Sequence, residues 1–263
     1  MKRTAFRASL IVCLLTSHIL FVVRAQTPVA GVRAYRSAHE AEIIAELVDL
    51  LSIPNVASDT VNIRRNAAKL IDMMGRRGIE ARLLEGSGPP AIFGEMKTPG
   101  AARTIGFYAH YDGQPVEPSK WATDPFKPTL RDKPLEAGGR GMPFPKAGAR
   151  FDPEWRLYAR SASDDKAPII AIFAALDALK TSRANPTANL KFLFDGEEEA
   201  GSPHLGDIAD SQRWAAWRGR VDMRGWTGAS ITPAATLFWC ARDRKGGHHG
   251  LRGQSRAAQR TLW

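Results

Sequence analysis

The sequence predicts an α/β fold, a three-layer sandwich around a mixed, mainly parallel sheet. Three observations predict it. Short, almost wholly apolar runs alternate with segments of helical periodicity. The apolar runs have strand length and lack polar alternation, as strands covered on both faces do. Acidic or His-bearing segments lie at strand ends and at a strand-to-helix crossing, where open α/β sheets place ligand sites.

The elements follow in order. Ser37 to Leu51 reads as a helix, with Ser37 and Glu40 as a capping box and Ile43, Ile44, Leu47, Leu50 and Leu51 at helical spacing. Pro54 lies just past its end. Asn62 to Met74 is a second helix, with Ile63, Ala67, Leu70, Ile71 and Met74 on one side and Gly75 and Gly78 marking its stop. Ile79 to Leu84, Ala91 to Met96 and Thr104 to Ala109 read as strands. Glu117 to Ala149 is rich in Pro and Gly and reads as a long loop or insertion. Trp155 to Ala159 is a short strand, Ala167 to Leu179 an apolar helix with Pro168 tolerated in its first turn, and Leu190 to Phe194 the next apolar strand. Beyond Asp210 no stretch repeats long enough to define an element.

The net charge of +10 is unevenly placed. Residues 211–263 hold ten Arg and Lys against Asp222 and Asp243, and Lys2, Arg3, Arg7 and Arg24 add four more positive charges. The body from Gln26 to Asp210 is therefore slightly acidic, which argues against nucleic acid as a partner of the body. Residues 1–25 read as a signal peptide. Lys2, Arg3 and Arg7 precede an apolar run from Ala8 to Val23, and Val23-Arg24-Ala25 fits a cleavage site. The run is short for a membrane span, so the expectation is a periplasmic or secreted protein without stable membrane association after cleavage. Cys13 falls in that segment and Cys240 is then alone, so no internal disulfide is expected.

Three segments carry the chemistry. His110 and Asp112 sit two apart past an apolar strand, so Asp112 can reach the His110 ring. A metal-binding His commonly has its second nitrogen fixed in this way, while the plainer alternative is a buried His with a charge partner. Asp164 and Asp165 precede an apolar helix, where simple N-capping competes with a cation role. Glu197, Glu198 and Glu199 end an apolar strand. Three adjacent carboxylates there invite a cation, although an exposed turn would tolerate them in water. A Glu ligand beside a Glu base is a common division of labour in metal hydrolases.

Taken together and in order, these segments resemble the M20 metallopeptidases, in the carnosine-dipeptidase-like branch. The likeness runs from about Ala38 to Leu205. It is carried by His110-Tyr111-Asp112, Trp121 with Asp124-Pro125-Phe126, the run from Leu157 to Lys166, and Glu198-Glu199-Ala200-Gly201-Ser202. The resemblance implies an α/β catalytic domain holding two zinc ions, with an inserted dimerisation domain. It makes His110, Asp164 and Glu199 metal ligands, Asp164 bridging both ions. Asp112 orients His110, Glu198 is the general base on the attacking water, and Glu197 is the extra residue of the triplet. It also implies a cis peptide between Asp164 and Asp165. The substrate implied is a small peptide or acylated amino acid, and the family is often homodimeric.

There are departures from the family pattern. Ala159-Arg160-Ser161 stands where most members read Gly-Arg-Gly, and the Pro/Gly-rich segment around Arg131 to Arg150 is longer than the usual link. After Leu205 the further carboxylate ligand, the dimerisation domain and the final His ligand have no convincing counterparts; Asp222 comes early, and His248 and His249 lack the expected context. Five of the seven Trp lie in residues 211–263. That tail reads as an aberrant, frameshifted and truncated end. Codons possible for Phe238 to Gly253, read one base later, permit a sequence resembling the start of the family's dimerisation domain. Codons for Arg224 to Gly228 permit Trp-Val-Asp-Gly, resembling the absent carboxylate segment. A genuine basic tail and a divergent real domain are the alternatives. The organisation expected is thus a signal peptide at 1–25, the N-terminal part of a zinc peptidase domain at 26–210, and the tail at 211–263. The activity expected is impaired amide hydrolysis; the alternatives are a non-catalytic exported fragment or binding module and, more distantly, a carboxylate-only hydrolase using Asp164 and Glu198.

Overall fold

The structure, a computed structural model, describes residues 28–210 and 221–225. The expected signal segment, Cys240, His248 and His249 lie outside the described residues.

Helix α1 (Pro28–Ala38) and helix α2 (Glu40–Leu51) meet at His39. This replaces the single expected helix. Ser37 lies inside α1, so the Ser37–Glu40 capping box does not form. His39 takes the N-cap position of α2 without a side-chain cap bond. Its ring instead stacks on Tyr35 at 4.0 Å and its Nδ1 lies 2.9 Å from the Tyr35 carbonyl. Helix α3 (Thr60–Gly75) starts at Asp59, whose carboxylate accepts from the Asn62 backbone N–H at 3.1 Å and its side-chain amide at 2.7 Å. The chain leaves α3 through Gly78 at φ +76, a left-handed value that glycine adopts at little cost.

Five strands form the main sheet: β1 (Glu80–Leu84), β2 (Ala91–Met96), β3 (Thr104–His110), β7 (Asn189–Asp195) and β8 (Val221–Gly225), in the order β1-β2-β7-β3-β8. The pairs β1/β2 and β2/β7 are antiparallel, and β7/β3 and β3/β8 are parallel. The sheet is mixed as expected, with its parallel half on the side that carries β3. Strand β8 corrects the reading that nothing beyond Asp210 forms an element. Five residues are too few to show a period, and what defines the strand is backbone pairing along the open edge of β3.

A second sheet, in the order β5-β4-β6, joins β4 (Thr129–Arg131), β5 (Gly141–Met142) and β6 (Arg156–Tyr158). Part of the expected loop from Glu117 to Ala149 is therefore sheet. Its strands are two or three residues long, below the length at which alternation is visible, and they persist through pairing and the burial of Leu130.

Helices α2, α3 and α4 (Lys166–Thr181) contribute Leu47, Leu50, Leu51, Ile63, Leu70, Met73, Ile169 and Phe173 to one core with Ile92, Phe192 and Phe194 of the sheet. Leu205 and Ile208 of the short helix α5 (Leu205–Asp210) pack in a second cluster with Leu84, Phe93 and Leu193. Side chains alternate along a strand, so these residues define opposite sheet faces and three layers. Burying one such large apolar side chain contributes about 1.5–3 kcal/mol.

Candidate metal centre

Parallel register builds the site. Strands β3 and β7 run side by side and end together, with His110 opposite Asp195. The Tyr111 N–H continues the ladder to the Asp195 carbonyl at 2.8 Å. The segment after β3 and the acidic run after β7 thus emerge at the same end of the sheet, next to the N-terminus of α4.

The sequence-predicted residues come together there. The His110 Nδ1 lies 3.2 Å from Asp112 Oδ1, and its Nε2 lies 2.9 Å from Asp164 Oδ1 and 3.7 Å from Glu198 Oε2. Asp112 is fully buried and has a second task. Its two oxygens accept the backbone N–H groups of Glu198 and Glu199, each at 3.1 Å. One carboxylate therefore fixes both the His110 ring and the turn that carries the glutamate pair. Glu199 Oε2 accepts from the Gln114 side chain at 2.5 Å. The site opens to solvent on one side: the Asp164 side chain is 65% exposed and Glu198 44%, whereas His110 is 7% exposed.

Helix capping does not account for the two aspartates. Asp165 occupies the N-cap position of α4 but makes no side-chain cap bond. Its Oδ2 accepts the His110 N–H at 3.3 Å, and its buried Oδ1 has no partner among the described residues. The peptide between Asp164 and Asp165 is cis. Lys166 is wholly buried, with its ammonium donating to the carbonyls of Leu50 at 2.9 Å and Ile53 at 3.3 Å.

The electrostatics are those of crowded carboxylates around one imidazole. Burial would lower the His110 pKa, but its hydrogen bonds to Asp112 and Asp164 outweigh it and hold the ring at about 11. The His110 hydrogen bond conversely depresses Asp164. Burial raises Glu198 and Glu199, and pushes Asp165 up to about 8. Burial also lowers Lys166 to about 7.

Glu197 is the residue the sequence reading set aside. It faces away from the cluster, 4% exposed, and accepts the His204 N–H at 2.7 Å and its Nδ1 at 2.9 Å. Its carbonyl accepts the N–H groups of Ala200 and Ser202. Glu197 ties the glutamate turn to the start of α5. Asp195 completes the support, accepting from Tyr108 Oη at 3.1 Å, Ser202 Oγ at 2.5 Å and the Glu197 N–H at 3.1 Å. A Glu triplet in sequence gives no sign that one member turns inward; the later His204 was the available hint.

An imidazole nitrogen aimed between carboxylates, with its other nitrogen fixed by a buried Asp, is the donor chemistry of zinc and similar divalent ions. His110 and Asp164 fit such an ion, with Glu198 and Glu199 adjoining. Among the described residues no three His, Cys, Asp or Glu side chains close around one point as a finished cage. The fit is that of a partial ligand set.

The fold is an α/β sandwich with a candidate metal centre at the ends of its parallel strands. Residues 106–224, somewhat under half of the chain, match the family described as Peptidase family M20/M25/M40. It is 28% identical over 192 residues to the Cys-Gly metallodipeptidase dug1 of Schizosaccharomyces pombe, covering 66% of this chain and 36% of that protein. It is 27% identical over 168 residues to the human Beta-Ala-His dipeptidase, covering 64% and 27%. The fold is similar to that of human carnosine dipeptidase 1, with a TM-score of 0.59 and 24% identity, over 73% of this chain and 39% of that one. The chain thus spans roughly a third of the length of the relatives it matches. The family match runs through Arg224, past the boundary expected after Asp210, and includes most of β8.

Proposed function

We propose that this chain carries the zinc-dependent amide hydrolysis of an M20 peptidase, acting on a dipeptide-sized substrate or an acylated amino acid. The observation that carries the reading is the convergence of His110, Asp164 and the Glu198–Glu199 turn, all pinned through Asp112. His110 and Asp164 would hold the metal, with Glu199 as a further ligand. When bound, zinc polarises a scissile carbonyl and lowers the pKa of water.

The residues of the chain supply the rest. Asp112 holds the proton on His110 Nδ1, so Nε2 is the nitrogen that would give up its proton and ligate. Glu198, raised by burial toward the range of a useful base, takes a proton from water at Oε2 and returns it to the leaving amine. Asp195 and Glu197 hold the turn that aims it. Because the described ligand set is partial, slow turnover is expected. The test is hydrolysis of an unblocked dipeptide by the zinc-loaded protein. Chelator and Glu198→Gln should each remove it, and turnover that persists in chelator contradicts the reading. A non-catalytic binding module is the second reading, favoured by the lack of a closed cage among the described residues. Uptake of two zinc ions supports the enzyme, and weak uptake of at most one supports the module.

Export to the periplasm or medium is part of the proposal and rests on Lys2, Arg3, Arg7 and the apolar run to Val23, outside the described residues. Cell fractionation tests it. No helix among the described residues is long and apolar enough to cross a membrane. The frameshifted origin of residues 211–263 is likewise proposed, and the nucleotide sequence across those codons decides it.

A further inference from the structure

Asn55 is a wholly buried side chain that the mechanism above does not use. It lies between α2 and α3, outside the three segments that carry the site. Its Nδ2 donates to the Tyr111 carbonyl and to Ser161 Oγ, both at 2.9 Å. Its own carbonyl accepts the Gly113 N–H at 2.9 Å, and Val56 forms a parallel bridge with Gly113. Its Oδ1 is buried without a partner among the described residues. The side chain is therefore held by what its nitrogen donates to.

Ser161 passes the contact on. Its Oγ accepts from Asn55 and donates to the Asp112 carbonyl at 3.2 Å. Its carbonyl accepts the Lys166 N–H at 3.3 Å, which closes the turn that carries Asp164 and Asp165. Lys166 donates to the Leu50 and Ile53 carbonyls, so both ends of this turn are bonded to the stretch from Leu50 to Asn55. Ser161 sits at φ +61, a left-handed value that is costly for any residue but glycine. It also stands where the M20 pattern has glycine. The hydroxyl is what glycine lacks, and here it is engaged by Asn55 and Asp112. Gly113 makes room for it, since a Cβ there would collide with Ser161 Oγ.

We propose that Asn55 and the Ser161 hydroxyl form a clasp that sets the spacing of the metal ligands. His110 and Asp164 are 54 residues apart in sequence, and Asn55 donates to one residue in each of their segments. Through Tyr111 and Asp112 the clasp holds the strand end behind His110. Through Ser161 it holds the turn that presents Asp164. The inference rests on the metal-site reading above and adds two positioning residues to it, neither of which touches metal or substrate.

The test is zinc titration of the full chain and its variants, with a thermal melt of each metal-free protein. Asn55→Ala removes both donated bonds and should weaken zinc binding about 10–100-fold, the range seen when the outer support of a ligand is lost. Ser161→Gly and Ser161→Ala both lose the hydroxyl and should weaken zinc by a similar factor. Their melts should differ, because glycine suits φ +61 and alanine does not. Zinc affinity then follows the hydroxyl, while stability follows the backbone. The double variant Asn55→Ala/Ser161→Gly should bind zinc within about twofold of Asn55→Ala, since members of one network do not add. Leu70→Ala, in the α3 core, should lower the melt and leave the zinc affinity of the folded chain unchanged. Unchanged zinc affinity in Asn55→Ala and Ser161→Gly overturns the proposal. So does a zinc affinity that follows the melt across all the variants. If Asn55→Ala fails to fold, the Ser161 pair decides. A wild-type chain that takes up no zinc counts against the metal-site reading, and the clasp is then judged in the metal-free chain by amide hydrogen exchange. Asn55→Ala should speed exchange at Lys166, Glu198 and Glu199 about tenfold relative to the amides of β2. Equal exchange overturns the clasp.

Discussion

The molecule has two charge clusters of similar composition and opposite logic. In the first, Arg77 is 8% exposed between α3, α2 and α4. It donates to Glu46 at 2.7 and 3.1 Å, to Asp177 at 2.7 and 3.0 Å and to the Met73 carbonyl at 3.0 Å, with Phe173 beneath at 4.6 Å. Every donor has an acceptor, and the cation is part of the protein. In the second, His110 faces Asp112, Asp164 and Glu198, with Asp165 and Glu199 beside them. Carboxylates outnumber cations, and one buried oxygen of Asp165 is unpaired among the described residues. The first cluster is complete as folded; the second, in the proposed reading, is completed by a bound cation. Closed charge networks hold helices together, and open ones mark sites.

Substitutions should separate the two clusters. Arg77→Met strips Asp177 of its guanidinium and leaves Glu46 to Arg76, and should cost roughly 2–3 kcal/mol of stability, with zinc uptake per folded molecule unchanged. Denaturant melts and zinc titrations on the same preparation check both halves, and a variant that loses zinc without losing stability would merge the two clusters. Asp112→Asn should do the reverse. It weakens the orientation of His110 and the tether of the glutamate turn, and should reduce zinc affinity by about 10–100-fold, as is usual when a ligand's supporting carboxylate is replaced. Glu197→Ala should have a smaller effect, about 1 kcal/mol and a several-fold loss of zinc affinity, because it releases the turn from α5 without touching a ligand. His204→Ala should move zinc affinity in the same direction; if it does not, the Glu197–His204 contact does not position the turn.

The smallest effect lies outside both clusters. Asp59 caps α3, and its hydrogen bonds with Asn62 hold its pKa below the ordinary 3.8. A depressed carboxylate stabilises the fold above its unfolded value, and that contribution is lost as the pH falls through the folded value. Asp59→Ala should lower the melting temperature slightly at neutral pH, with the gap from wild type closing on acidification below about pH 3.8. A gap that widens in acid would show that the cap acts through something other than its charge.

Much of this was legible in the sequence, for physical reasons that can be named. Ile63, Ala67, Leu70 and Met74 gave α3 because a buried helix face repeats at a fixed period. Strands β2, β3 and β7 were legible because burial on both faces removes polar residues. The His110–Asp112 contact followed from side-chain alternation. What escaped depends on contacts that a linear pattern does not encode. Ser37 looked like a cap because Glu40 follows it, yet the stacking of His39 on Tyr35 moves the helix boundary. Strands β4, β5 and β8 are defined by pairing rather than by pattern. The second role of Asp112, as acceptor for two backbone N–H groups 86 and 87 residues away, has no sequence signature. Nor does the inward turn of Glu197.

The central claim is that the open cluster is a divalent-cation site. The direct measurement is zinc titration of the wild-type chain and of Asp164→Asn, with a thermal melt of each metal-free protein. The account predicts that the wild-type chain takes up zinc and that Asp164→Asn binds it at least about 100-fold more weakly. It also predicts nearly equal melts, because the exposed Asp164 side chain carries little of the fold. Equal zinc affinity in the two proteins, or no uptake by the wild-type chain, would contradict it.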